Sequence, residues 1–173
     1  PWTHTFGKQN ESKQTSSMTT RTGKAVVINK NGGSDVLEYV TDFAFPAPRE
    51  GEVVVQAVSS SINPVDTYIR KGIYGPLPRT PTIPGGDVAG VVVEAPAGSK
   101  FKVGDKVFAL KNTFVPQADD QGTYAEYVNV KEEWLARVPD NLPLAQAAGV
   151  PLVALTAWQA LHGAEAKAGQ RIL

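Results

Sequence analysis

The sequence predicts a mainly β domain, a compact barrel with irregular connections, interrupted by a short helix and followed by a longer one. Three observations predict it. Short β-branched runs recur between turn signals from about residue 24 onward, without the regular strand–helix alternation of βαβ units. Hydrophobic residues make up 42% of the 173, enough for one sizeable core and the beginning of something else. The one long apolar stretch, residues 142–164, lies near the C-terminal end and is broken by Pro143, Gln146, Gly149, Pro151, Gln159 and His162. A membrane span needs about 20 nearly uninterrupted apolar residues, so this stretch reads as a buried linking helix.

The runs place strands at 24–29, 37–40, 52–62, 87–94, 106–110, 124–130 and 135–138. Their boundaries are chemical. Asn31-Gly32-Gly33 is suited to positive φ, Pro46-Ala47-Pro48 breaks a ladder, and Gly51-Glu52 and Gly104-Asp105 make tight turns entering strands. Asn63-Pro64-Val65-Asp66 supplies an N-cap, a Pro for the first helical position and an acid near the exposed amides. Gly72 terminates this first helix, 64–71. The second helix spans 144–162, a turn covers 164–169, and Gln170-Arg171-Ile172-Leu173 reads as a new strand. Residues 111–122, with Asp119-Asp120, read as a solvated loop.

Residues 1–22 are hydroxyl-rich, weakly basic and without hydrophobic period, and read as a disordered leader. They suit the end of an organelle transit peptide, an expression scar, or upstream read-through ahead of Met18. A net charge of zero with no basic run gives no electrostatic reason for nucleic acid or an anionic membrane as partner, which leaves small-molecule chemistry. No cysteine is present, which excludes disulfides and thiolate-ligated zinc.

Residues of obvious reactivity are missing. His4 lies in the leader, His162 closes an apolar helix, and the adjacent acids Glu132-Glu133 and Asp119-Asp120 fall in turns as surface charge. A site of amide, phenol and backbone groups remains, which suits an enzyme whose cofactor performs the difficult chemistry.

Seven segments then carry a resemblance. They are Gly32-Gly33-Ser34-Asp35-Val36-Leu37; the run from Ser61-Ile62-Asn63-Pro64 through Tyr68 to Gly72-Ile73-Tyr74; Ile83-Pro84-Gly85-Gly86-Asp87-Val88-Ala89-Gly90; Phe101-Lys102-Val103-Gly104-Asp105; Gly122-Thr123-Tyr124-Ala125-Glu126-Tyr127; Ala147-Ala148-Gly149-Val150-Pro151; and Leu155-Thr156-Ala157-Trp158. Their order and spacing are similar to those of the zinc-independent, ζ-crystallin-like quinone oxidoreductases of the medium-chain dehydrogenase/reductase superfamily. The resemblance implies a GroES-like barrel as N-terminal catalytic domain over 23–142. Residues 143–173 would then be the linking helix and first strand of a truncated Rossmann nucleotide-binding domain.

Zinc alcohol dehydrogenases of that superfamily carry a Cys where Asn63 stands and a His-Glu pair where Gly86-Asp87 stand. Without those ligands no tetrahedral metal site forms, and no metal polarises a carbonyl. The implied reaction is therefore hydride transfer from NADPH, with NADH left open, to a quinone or an α,β-unsaturated carbonyl, without zinc. Hydrogen-bond donors preset near the oxygen that gains charge would lower the barrier.

The resemblance places Asn63 beside the nicotinamide, Thr156 on the linking helix as a second cofactor contact, and Tyr68 and Tyr74 along the substrate slot as catalytic candidates. Each has a structural alternative: Asn63 as helix cap, Tyr68 and Tyr74 as packing, Thr156 bonded to a carbonyl one turn back. No metal ligand is expected. The phosphate-binding turn would follow Leu173, so the chain alone is expected to be inactive and to expose apolar surface along 144–162. A non-catalytic, crystallin-like binding or structural protein of the same fold is the competing reading. A homodimer or homotetramer is expected of the full-length protein, and a cytoplasmic location is the default, with a plastid or mitochondrion instead if the leader is a transit peptide.

Overall fold

A computed structural model describes residues 21–111 and 121–172. The expected leader, apart from Arg21 and Thr22, lies outside the described residues, and so do His4, Asp119-Asp120 and Leu173. The elements run β1 (Arg21–Val27), β2 (Glu38–Phe45), β3 (Glu52–Ser60), α1 (Pro64–Lys71), β4 (Asp87–Glu94), β5 (Lys106–Leu110), β6 (Tyr127–Lys131), β7 (Leu135–Arg137), α2 (Leu144–Ala147) and α3 (Pro151–Gly163). Single 3-10 turns precede β2 and β7.

All pairings are antiparallel. A five-stranded sheet in the order β6-β3-β4-β5-β7 curls around a valine-rich core, and β1 pairs with β2 in a second, two-stranded sheet. Val53, Val55, Val88, Val92, Val107, Val128 and Val130 are buried in the curl with Phe101 and Leu135. β-Branched side chains suit such a pleated surface because it costs them little of their already restricted χ1 freedom. Ala25, Val27, Phe45 and Ile83 form a second cluster where the small sheet closes one side, and Ala147 and Ala148 seat α2 on Ala89 of β4.

Several boundaries depart from expectation, each for a physical reason. β1 begins at Arg21, whose guanidinium pairs with Glu94 at 2.7 Å. β2 extends to Phe45, through Thr41 and Asp42, because its pairing with β1 holds residues whose side chains face solvent. Segment 124–126 is not part of β6: it bonds across to β1, from Val26 N to the Tyr124 carbonyl and from Glu126 N to the Lys24 carbonyl, both at 2.8 Å. Gly32 and Gly33 do not adopt positive φ. Their loop instead caps the C-terminus of α1, with Asn31 Nδ2 donating to the Ile69 and Arg70 carbonyls at 3.1 and 3.2 Å.

The expected helix 144–162 is two helices. Pro151 lacks an N–H and its ring excludes the carbonyl four residues back, so α2 stops at Ala147 and α3 restarts with Pro151 at its first position. Residues 170–172 form no strand; the Gln170 side chain accepts from the Lys167 N–H at 2.6 Å, and no described segment offers a ladder partner. No helix among the described residues is long and apolar enough to cross a membrane.

Candidate active site

Asn63 leaves the sheet in extended conformation (φ −113°, ψ 152°) and opens α1, with Pro64 in the first turn and Gly72 closing the helix at φ 79°. Asp66 reaches back to accept from the Asn63 backbone N–H at 2.7 Å. The Asn63 side chain turns inward. Its Nδ2 donates to Asp87 Oδ2 at 2.8 Å and to Ser61 Oγ at 3.2 Å.

These contacts belong to a buried polar cluster at the junction of β4, α1 and α3. Asp87, 1% exposed, accepts from Ser61 Oγ at 2.5 Å as well as from Asn63, and its other oxygen accepts from the Leu152 backbone N–H of α3 at 2.9 Å. Asp66, 5% exposed, also accepts from the Tyr124 hydroxyl at 2.8 Å, while its Oδ1 has no partner among the described residues. Burial raises the Asp66 carboxyl above the usual carboxylate range, against its two hydrogen bonds, and the nearby Asp87 charge adds to the rise. Burial and the Asp66 carboxylate push the Tyr124 phenol far above its ordinary range, so it stays protonated and structural.

A carboxyl raised in the folded state is fully compatible with folding below its ordinary pKa and costs stability as pH rises through the raised value. Asp66→Asn keeps one oxygen for the two donors without the charge. Urea unfolding is expected to show Asp66→Asn gaining on the parent as pH rises from about 4, the two converging in acid. A gap that widens in acid contradicts this.

Tyr68 sits on the exposed side of α1 and Tyr74 in the turn after Gly72, 42% and 58% exposed. Their rings meet edge to face at 6.4 Å, and neither phenol has a hydrogen-bond partner among the described residues. Thr156 lies on α3 in an open groove of about 430 Å³ bounded by Val65, Leu110, Trp134, Leu152 and Leu155. Its hydroxyl donates to the Leu152 carbonyl at 2.8 Å, the back-bond to the preceding turn. The structure thus gathers Tyr68 with Tyr74, and connects Asn63 to the first turn of the helix carrying Thr156 through Asp87. His162 is exposed at the end of α3 and stacks on Trp158 at 6.3 Å. No group of three or more acidic or histidine side chains that could hold a metal occurs among the described residues.

Residues 49–140 match the family model described as the alcohol dehydrogenase GroES-like domain. The chain belongs to this family. Among curated relatives it is 37% identical over 153 residues to a quinone oxidoreductase of Pongo abelii, covering 87% of this chain and 44% of that protein. It is 40% identical over 156 residues to the chloroplastic NADPH-dependent alkenal/one oxidoreductase of Arabidopsis thaliana, covering 87% of this chain and 40% of that one. Among solved structures, the Escherichia coli quinone oxidoreductase complexed with NADPH superposes with a TM-score of 0.69 at 29% identity, over 82% of this chain and 41% of that one. The chain therefore spans less than half the length of these relatives, and they agree with the resemblance carried by its motifs.

Within the GroES-like domain, three site residues escaped sequence reasoning: Ser61, Asp87 and Tyr124. Gly86-Asp87 marked only the loss of a zinc ligand in the sequence, and Tyr124 stood in a predicted strand. The detectable signal was Asp87 itself, a carboxylate opening a run of otherwise apolar strand residues, where burial demands several donors.

Proposed function

We propose that the intact protein is an NADPH-dependent oxidoreductase that reduces quinones or α,β-unsaturated carbonyls without zinc. The supporting observation is a pair of exposed phenols, Tyr68 and Tyr74, with O–H donors that have no partner among the described residues, in a domain that also carries a hydroxyl whose proton is already committed, Thr156. Donors suit an oxygen gaining negative charge; acceptors suit the N–H and O–H groups of a nicotinamide nucleoside.

The donor set fits the nicotinamide end of the cofactor. The groove beside Thr156 is mostly apolar, with Gln159 and Thr156 as its polar residues and no Lys or Arg on its walls, as an uncharged reduced ring requires. The same lining offers nothing to the phosphates. A reduced nicotinamide held beside Thr156 would supply hydride chemistry, two electrons and a proton's nucleus passing to the conjugated carbon of the substrate while a proton from solvent completes the reduction. Tyr68 and Tyr74 would donate to the substrate oxygen as charge arrives, Asn63 and Thr156 would orient the ring, and the apolar side chains of α3 would exclude water.

Zinc independence rests on the residues present. The Asn63 amide is consumed by Asp87 and Ser61, Gly86 has no side chain to ligate, and there is no cysteine. The intact protein is expected to oxidise NADPH with a quinone or an enone, with a rate unchanged by chelator. Loss of activity on chelation, restored by zinc, would overturn the zinc-free assignment; NADPH binding without turnover of either substrate class would favour a binding protein. A cytoplasmic location fits this reading, with a plastid as alternative in view of the chloroplastic relative.

A further inference from the structure

α1 is eight residues long and buries only one of them, the polar Asp66. So short a helix is marginal by itself, and with none of its apolar side chains fully buried, packing does little to fix its place. Hydrogen bonds hold it at both ends. At the N-terminal end these are the Asn63–Asp66 capping box and the bond from the Tyr124 hydroxyl to Asp66. At the C-terminal end they come from the loop after β1. Asn31 Nδ2 donates toward the Ile69 and Arg70 carbonyls at 3.1 and 3.2 Å, the Gly32 N–H donates to the Arg70 carbonyl at 3.0 Å, and Arg70 Nη1 donates back to the Gly32 carbonyl at 3.0 Å. Among the described residues, no other hydrogen bond ties 69–75 to anything outside α1 and its closing turn.

Both phenols stand on this clamped end. The Ile73 N–H donates to the Tyr68 carbonyl and the Gly75 N–H to the Gly72 carbonyl, each at 3.0 Å, which folds the turn carrying Tyr74 back onto the residue carrying the other ring. Asn31 lies directly against the pivot of that turn: a Cβ on Gly72 would meet Asn31 Cγ at 3.0 Å and Nδ2 at 3.2 Å. A neutral amide donor suits the position, because the last carbonyls of a helix lack intrahelical partners and carry the negative end of its dipole.

We infer that Asn31 is a positioning residue for the Tyr68–Tyr74 pair, its amide fixing the last turn of α1 and with it the places of both phenols. That role rests on the proposed reading of the phenols as donors to the substrate oxygen, where a displacement of about 1 Å costs up to about a hundredfold in rate.

Asn31→Asp keeps the shape of the side chain, removes the donor, and sets a negative charge against two carbonyls at the negative end of the helix. Reduction of a quinone by NADPH is to be measured with the intact protein, with Asn31→Asp made both in the parent and in Tyr68→Phe/Tyr74→Phe. In the parent background kcat is expected to fall about tenfold or more, with the dissociation constant of NADPH within about twofold. Where both phenols are already replaced, the same change should cost less than about twofold, since it acts only through them. A merely structural role would lower kcat by one factor in both backgrounds; that equality, or an unchanged kcat in the parent background, would overturn the inference.

Should Asn31→Asp fail to fold, Asn31→Ala, which removes the donor without adding a charge, takes its place and is read the same way. An intact parent without turnover, or a Tyr68→Phe/Tyr74→Phe variant as active as the parent, sinks the functional reading instead. The ring-to-ring NOE between Tyr68 and Tyr74 then decides the role of Asn31 by itself: lost in the Asn31 variant if Asn31 sets the pair, and retained if it does not.

Discussion

Replacing Tyr68 and Tyr74 together by Phe is expected to lower kcat/KM for quinone or enone reduction by about a thousandfold, since one preset donor to a developing oxyanion contributes about 10²–10³. The other hydroxyl and amide donors of the polar cluster are already engaged. The Asn63 amide, the Ser61 hydroxyl, the Tyr124 phenol and the Thr156 hydroxyl all give their protons to protein acceptors. Tyr68 and Tyr74 are the phenols left with free O–H groups, on the exposed side of α1 and in the turn that follows. Phe removes only the oxygen, so the edge-to-face contact at 6.4 Å persists and the domain keeps its stability. Each single variant should lose less than the pair if one phenol partly substitutes for the other. The loss should fall on kcat, with the dissociation constant of NADPH within about twofold of the parent, because a donor used only in the transition state leaves ground-state binding intact. Activity of the double variant within threefold of the parent would exclude both phenols from the chemistry.

The sequence revealed the sheet well where apolar runs alternate and turns carry Gly or Pro. β4 and β5 lie as expected, and α1 begins at Pro64 and ends before Gly72 because cap, proline and glycine act locally. It failed where tertiary pairing decides. Thr41 and Asp42 belong to β2 because the paired residues on either side of them, Val40 and Phe43, hold them against β1 across a register shift, and Tyr124–Glu126 are drawn from β6 by backbone bonds to that same strand. In the site, the resemblance named side chains but could not assign their polarity. That the Asn63 amide donates to Asp87 follows from a contact spanning 24 residues of sequence. That Tyr124 serves Asp66 rather than the strand follows from a contact spanning 58 residues. The exposure of Val153, Leu155, Trp158 and Leu161 on α3 was legible, because that helix is apolar on every side and so has no solvent face to present.

Gly85 is where the backbone and the polar cluster depend on one atom. It stands at φ 98°, a conformation disfavoured for any residue with a Cβ, and a Cβ there would lie 2.5 Å from two carbons of the Tyr124 ring and 2.7 Å from Thr123 Oγ1. Thr123 is fully buried, so it has no space to retreat. Gly85→Ala must therefore displace Tyr124, and with it the hydroxyl at 2.8 Å from Asp66, whose other oxygen is already unpartnered. Positive-φ strain contributes about 1–2 kcal/mol, overpacking about 1–3, and the lost hydrogen bond to a buried carboxyl about 1–3, so a destabilisation of about 4 kcal/mol or more is expected. Gly98 supplies the control. It too has positive φ, at 81°, but a Cβ there meets nothing within 4 Å, so Gly98→Ala should cost only the strain, about 1 kcal/mol. Urea unfolding of the two variants separates the contributions: equal losses would mean that backbone strain alone acts at Gly85 and that Tyr124 moves freely, which would also remove the rigidity on which the Asp66–Asn63 geometry depends.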